Sequence, residues 1–484
     1  MTVFTIPRQQ LRDAWRTRSL VALSLVLAML AIGAAVAGKA RFQEDVRQRS
    51  RYQALVAEQW NDQPDRHPHR VSHYGFLVFR PRAPLGFFDS GTESFTGSTV
   101  FLEAHRQNTA NFSDAAQADG TTQFGELTLA LVLQLLAPLL ILTTAGLSIV
   151  REREAGTLAL VLVQGVSWGT ALTGKLLGSV AAVALMIVPA IAGAVVVLAR
   201  DYDWTNDAMA RAALLGGAHA LYLMMCAALG IALCAGHTTS RAALVTLLGT
   251  WVALWVVLPR ALPGLASALY PVPARSSFEA AVERRVRELG DSHNPNDPKF
   301  AALRDRYLTQ YGVSRIEELP LNYNGVVSYE AEKLTTEAYR EHLATLTRVY
   351  ERQARLVLLA GILSPYVAMR TVSMTLAGVD ISHANHFERS AEDYRFAIVQ
   401  RLNELHSQEV TYALDRYGGG AENAAPTRQR IDRAHFQAIP VFTYTSPDVV
   451  WALNRSAPGL AVLTGWGIAM LAVIIMTARR PFRL

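Results

Sequence analysis

The sequence predicts a mainly α, polytopic membrane protein: six transmembrane helices, an N-terminal amphipathic helix, a mixed α/β first external segment and a helical second external domain. Three observations carry this. Of 484 residues, 51% are hydrophobic and only 18% charged, too apolar for an ordinary soluble enzyme of this size. Six apolar runs reach or approach the ~20 residues that a helix rising ~1.5 Å per residue needs to cross the hydrocarbon core. Two long polar stretches lie between them, with helical or strand periodicity of their own.

In chain order, residues 1–19 carry Arg8, Arg12, Arg16 and Arg18, with Leu11 and Trp15 at i, i+4, which predicts a short amphipathic helix on the cytoplasmic surface. The run 20–38 is the first span. A basic start and Ala35-Val36-Ala37 also fit a signal peptide, but the run exceeds the ~7–15 residues of a signal core. Residues 39–126 form the first external domain. A helix continues out of the membrane to Trp60, and strand-like pieces follow at Phe76–Phe79 and Thr99–Leu102, separated by turn signals such as Arg82-Ala83-Pro84 and Asp89-Ser90-Gly91.

Spans two and three, 127–150 and 172–198, enclose Arg151-Glu152-Arg153-Glu154-Ala155-Gly156-Thr157-Leu158. Four consecutive charges cannot sit in lipid, so the chain surfaces at Arg151 and dives back. A polar turn with Asp201, Asp203 and Trp204 leads to span four, 212–235, and Gly236 to Arg241 turns into span five, 242–258, closed by Pro259. The second external domain is 259–446. Its helices are marked by Ser276-Ser277-Phe278-Glu279 as a capping box and by the stripes Phe278/Val282/Val286/Leu289, Tyr339/Leu343/Leu346/Tyr350 and Tyr394/Ile398/Leu402/Leu405; Gly418 to Pro426 is a flexible break. Span six is 449–478. The apolar piece Leu356 to Met369 is too short to cross, contains Pro365 and meets Arg370, so it reads as an amphipathic helix on the outer membrane face or capping the external domain. With six spans, the arginines at 8–18, 151/153, 241 and 479–483 share one side, as the positive-inside rule requires.

The segment 151–171 resembles the coupling helix of ABC-2-type exporter permeases: Arg-Glu-Arg-Glu-x-Gly-Thr-Leu after a span, then Gly174-Lys175-Leu176-Leu177-Gly178 in the next. His73-Tyr74-Gly75-Phe76 through Arg80-Pro81 and Leu102-Glu103-Ala104-His105 are similar to the first external domain of the subgroup linked to multicopper-enzyme maturation. So are Ser364-Pro365, Leu376-Ala377-Gly378-Val379-Asp380, His386-Phe387 and Tyr394-Arg395. Gly165 stands where that family places a proline. The resemblance implies a permease subunit in the bacterial inner membrane with both termini cytoplasmic, exporting an unidentified substrate. It also implies two copies of a separate ABC ATPase that binds ATP and Mg²⁺, and a second permease, identical or similar; the permease itself is then no enzyme and binds no cofactor directly.

Within that frame, Arg151, Glu152, Arg153, Glu154, Gly156, Thr157, Leu158, Val161 and Leu162 are the expected ATPase-coupling residues. Glu152 and Glu154 would dock, and Leu158, Val161 and Leu162, at i, i+3, i+4, would form one apolar docking face. The bland reading of the charge run is a solvated cap. Gly169 to Leu176 nearly spells a Walker A loop, but Leu176 replaces the Mg²⁺-binding Ser or Thr and no strand precedes it. His67, His69 and His73, with Asp62 and Asp65, are the densest potential ligands. Their spacing matches no standard site, and the Pro/Arg-rich context reads as an exposed loop, so no metal is assigned. His383 and His386 stand likewise, and Glu103 and His105 read as structural hydrogen-bonding groups. Both cysteines, Cys226 and Cys234, fall in one apolar run, which leaves no disulfide framework. The charge of +6 without a basic, aromatic-interleaved stripe gives no case for nucleic acid. Two other readings remain: a mechanotransmitter moving a periplasmic partner without transport, and a membrane-anchored periplasmic metal-handling protein.

Overall fold

A computed structural model describes residues 5–16, 18–111, 113, 127–199, 204–415 and 429–479. Asp201, Asp203, the break at 418–426 and the terminal arginines Arg480 and Arg483 lie outside the described residues. The chain is a mostly helical multi-pass membrane protein. Among the described residues six helices are long and apolar enough to cross a bilayer: α2 (Ser19–Asn61), α4 (Leu129–Glu154), α6 (Trp168–Ala199), α7 (Asn206–Cys234), α8 (Ser240–Leu269) and α15 (Val449–Arg479). Each covers an apolar run read from the sequence, but several run further. The second continues through the charged run to Glu154. The fifth passes Pro259, which sits at the start of a fresh helical segment where its missing N–H costs little, and ends at Leu269.

The first helix, α1 (Thr5–Arg16), lies against α6 rather than only on a membrane surface. Ile6 is buried there, Leu11 packs on the main core, and Gln10 Nε2 donates to Ser179 Oγ at 3.0 Å, while Trp15 stays exposed. Gly174 and Gly178 permit this approach: a Cβ on Gly174 would stand 2.8 Å from Ile6 Cβ, and one on Gly178 would stand 2.4 Å from Gln10 Oε1. Gly174, the second glycine of the phosphate-loop-like run, is therefore a packing residue.

Helix α2 is one continuous rod of 43 residues, ~65 Å at ~1.5 Å per residue, from the apolar bundle into the first polar block. There it meets a two-stranded antiparallel sheet, β1 (Phe76–Phe79) on β2 (Thr99–Leu102), in the register Phe76↔Leu102. These are the two strand-like pieces that the sequence predicted. Short helix α3 (Pro68–Tyr74) precedes β1. The second polar block supplies α9 (Arg275–Leu289), α10 (Ala301–Tyr311), α11 (Tyr323–Ala360), α12 (Pro365–Ala377), α13 (Ile381–Glu409) and α14 (Ala434–Gln437). The capping box at Ser276 is not formed; α9 starts one residue earlier, its cap position is Ala274, and Glu279 pairs with Arg275 instead. The two blocks are not separate bodies. Phe387 and Ala391 of α13 share a buried cluster with Val78, Val100 and Leu102 of the sheet.

Residues 356–369 depart from expectation. Leu359, Ile362 and Leu363 stay exposed, but residues 360, 361 and 364–369 are buried. The C-terminal end of α11, a turn at 361–364 and α12 insert among α7, α8 and α15, with Ala368, Met369, Val372 and Leu376 at most 1% exposed. The turn sits beside the middles of α15 and α8: Trp466 Nε1 donates to Gly361 O at 3.0 Å and Ser364 Oγ to Leu254 O at 2.7 Å. Irregular backbone survives at that depth because protein groups satisfy it. Leu254 can accept because it lies in a wide π-type turn (Val252–Val257) that frees carbonyls from the helix ladder. Periodicity sees only that the segment is too short to cross; that neighbours would enclose it is a tertiary fact.

Arg211, fully buried near the start of α7, binds the returning end of this hairpin. It pairs with Asp207 at 2.6 Å, donates to Leu376 O at 3.1 Å and to Pro447 O at 2.6 Å. Asp207 also accepts from Val449 N, the first residue of α15. Arg211→Leu is expected to lower stability by about 1.5–3 kcal/mol, the usual cost of losing hydrogen bonds to a charged group. A melt of the detergent-solubilised protein indistinguishable from wild type refutes this anchor.

Candidate functional site

The turn between α4 and α6 is built by two left-handed glycines. Gly156 (φ 74°) starts α5 (Thr157–Val163) and Gly165 (φ 87°) ends it. The second explains the missing proline: a positive φ is open to glycine and closed to a ring fixed near −65°.

Three of the four charged side chains in this run have partners within the chain, although Arg151 and Glu154 stay exposed. Glu152 pairs with Lys175 Nζ, itself buried on α6. Arg153 Nη1 donates to Ala235 O and His237 O, both at 2.8 Å, with its guanidinium over the Trp168 ring. Glu154 accepts from Ser240 Oγ at 2.5 Å and Ser240 N at 3.2 Å, capping the start of α8. Three consecutive side chains thus tie α4 to α6, to the α7–α8 turn and to α8. Glu154 serves as a cap, and Arg151 stays exposed.

The apolar face of α5 is also reversed from expectation. Leu158 is 2% exposed within the main core, and Val161 and Leu162 pack on Ile6, Val166 and Ala171. The residues left outward are Leu160, 63% exposed, and Val163, 86% exposed, beside exposed Gly156 and Thr157. An i, i+3, i+4 stripe marks the face that is buried, and in a single chain the nearest thing to bury it against is the chain itself. Leu160 and Val163 stand out only as apolar residues off that stripe.

A second constellation lies in the polar blocks. His67 and His69 are 2% and 5% exposed, so they do not sit in an exposed loop. Pro68 starts α3 and His67 caps it, which turns His69 and His73, four residues apart, onto one face; their Nε2 atoms face each other at 3.1 Å. His105, just after β2, and His293, in the loop after α9, complete the set. The four rings offer one ligand atom each within 4.8 Å of one another. His105 has φ 61°, a strained conformation for a non-glycine residue, and Glu332 of α11 holds it through its backbone N at 3.0 Å and its Nδ1 at 3.1 Å.

Beside this set, Asp415 faces His67 Nε2 at 3.2 Å and His406 Nε2 at 2.5 Å, and accepts from Asn322 and Asn324 at 2.9 and 3.0 Å. Despite burial, those bonds drive its carboxyl far below the usual range. Desolvation and the neighbouring imidazoles lower His69 well below a normal histidine and His73 to about 4, so both rings are neutral near pH 7. Asp62 and Asp65 are not members; Asp65 caps Arg433 N. His383 is bound by Asp380 and His386 by Tyr444, as structural groups. The sequence signal for the cluster was partial: two of its four histidines, His69 and His73, were visible as a group with His67, while His105 and His293 lie far off in the chain.

Six apolar helices, two fused polar blocks and a turn held between spans define the class: a mostly helical, multi-pass membrane protein. Residues 275–445, which contain α9 to α14, match a family model described as a domain of unknown function (DUF3526). Comparison with curated proteins gives no match.

Proposed function

We propose that the chain is the permease subunit of an ATP-driven exporter of the inner membrane, moved by a separate ATPase through the turn at 151–171. The observation that carries this is the outward apolar rim Leu160/Val163 on a short helix clamped between two spans. A solvent-facing Val and Leu at the end of a bundle fit a protein partner, and the clasp of Glu152, Arg153 and Glu154 passes any displacement of α5 to α6 and α8 as a unit. The ATPase would supply ATP and Mg²⁺ chemistry. α8 has only 17% of its apolar window buried, which leaves a face for lipid or for a second permease, identical or similar. The working unit is then two permeases with two ATPases.

A mechanotransmitter is the second reading, and the uninterrupted rod of α2 favours it. The same helix packs in the bundle and carries the sheet and α14 at its far end: Trp60 Nε1 donates to Phe436 O at 3.0 Å, and Gln437 Nε2 to Asn61 O at 2.8 Å. A tilt of the span therefore reaches the periplasmic blocks directly.

The test is orientation plus contact. Both native cysteines are buried, so single added cysteines report cleanly. Thr157→Cys is expected to label from the cytoplasm and to cross-link to an ATPase encoded beside the permease, while Arg285→Cys labels only from the periplasm. Labelling of both from one side ends the model. ATP-dependent accumulation of cargo in inverted vesicles separates transport from mechanotransmission.

A further inference from the structure

We propose that His69, His73, His105 and His293 form a binding site for one borderline divalent first-row cation, such as Zn²⁺, that fastens the loop after α9 to the first polar block. This goes beyond the exporter reading and does not depend on it.

The geometry is that of a ligand set. Four nitrogens around Zn²⁺ at ~2.0–2.1 Å stand about 3.3 Å apart in a tetrahedron. His69 and His73 already lie at 3.1 Å, and no pair of the four exceeds 4.8 Å, so small rotamer shifts close the shell. The ligand type is selective: four imidazoles and no thiolate suit zinc, copper(II) or nickel over calcium or magnesium, which need oxygen.

The surroundings also match. A metal-bound histidine usually gives its other nitrogen to a carboxylate. His105 Nδ1 faces Glu332 at 3.1 Å and His293 Nδ1 faces Asp291 at 3.4 Å, so Nε2 is the nitrogen each ring can offer to a cation. Glu332 is fixed in turn by Arg395 at 2.6 Å. Glu332 also accepts from the backbone N of His105, so one carboxylate fixes both the main chain, at φ 61°, and the ring of this ligand. His73 and His293 are exposed, which gives a cation a way in.

The neighbouring His67/His406/Asp415 set differs. Its carboxylate already takes two imidazoles and two asparagine amides, so its charge is met within the protein.

The experiment uses the full chain, purified in detergent through a tag without histidine, stripped with chelator, equilibrated with ZnCl₂ and desalted. One zinc per chain is expected by elemental analysis, and CoCl₂ in its place should give the visible bands of a nitrogen-rich tetrahedral site. His73→Ala with His293→Ala alters exposed rings with little risk to folding and should drop retained zinc at least tenfold, with unchanged gel-filtration elution. Asp415→Asn should keep the full equivalent. Wild-type retention below a tenth of an equivalent overturns the proposal. So does retention indifferent to the double substitution, or lost only in Asp415→Asn.

Discussion

Val163→Asp is expected to release the ATPase from an otherwise intact, inserted permease. Val163 and Leu160 project from α5, and among the described residues Val163 is left 86% exposed. A carboxylate there costs the monomer nothing. In a desolvated contact it is an unpaired charge, and mispairing at such a site costs ~2–5 kcal/mol, at least a thirtyfold loss of association at ~1.4 kcal/mol per tenfold. Pull-down in detergent and stimulated ATP hydrolysis are the measurements. Leu160→Asp should behave alike. Leu158→Asp should instead impair folding, because that side chain lies in the core. Glu154→Lys removes the Ser240 cap and is expected to loosen α8 while leaving docking in place. If Val163→Asp keeps a fully coupled ATPase, the outward rim is not the transmission surface.

Arg395→Met should give the largest loss of stability of any single change in the second polar block. The guanidinium, 3% exposed, forks onto Glu392 through two bonds of 2.7 Å and reaches Glu332 at 2.6 Å, Thr336 Oγ1 at 3.0 Å and Glu103 O at 3.1 Å. Burial pushes the Glu332 carboxyl up, but the His105 hydrogen bond and the Arg395 charge bring it down to about 2; Glu392 stays raised because burial outweighs its bonds. Removing one partner of a buried ion pair typically costs ~3–5 kcal/mol, since the remaining charge stays desolvated. Here Glu392 would lose both its bonds, and Glu332 would keep only its His105 and Thr336 contacts. Arg395→Lys should rescue only in part, because an ammonium cannot reproduce the planar fork. Thermal unfolding followed by intrinsic fluorescence checks this. A melt of Arg395→Met within about a degree of wild type would show that the network carries little of the block's stability.

What the sequence determined by itself is what local rules govern. Apolar length located six helices, because lipid demands ~20 apolar residues from each span separately. Short β-branched and aromatic runs between turn signals located Phe76–Phe79 and Thr99–Leu102. The failure of the Walker-like run was legible locally too, from Leu176 and the missing strand before it. Tertiary structure decided whatever depends on which surface meets which. The Leu158/Val161/Leu162 stripe announces burial but cannot say whether its own chain or a partner supplies the cover, and here α1, Val166 and the bundle do. Glu154 reads as a free acid until Ser240, 86 residues away, arrives as its partner. Residues 356–369 read as surface-bound until α7, α8 and α15 enclose them. The histidine cluster is the clearest case: Pro68 and a short helix bring His69 and His73 together locally, but His105 and His293 arrive only when β2 and α9 fold onto them. Spacing along a chain encodes no distance across it once loops close at a cost that grows only slowly with their length.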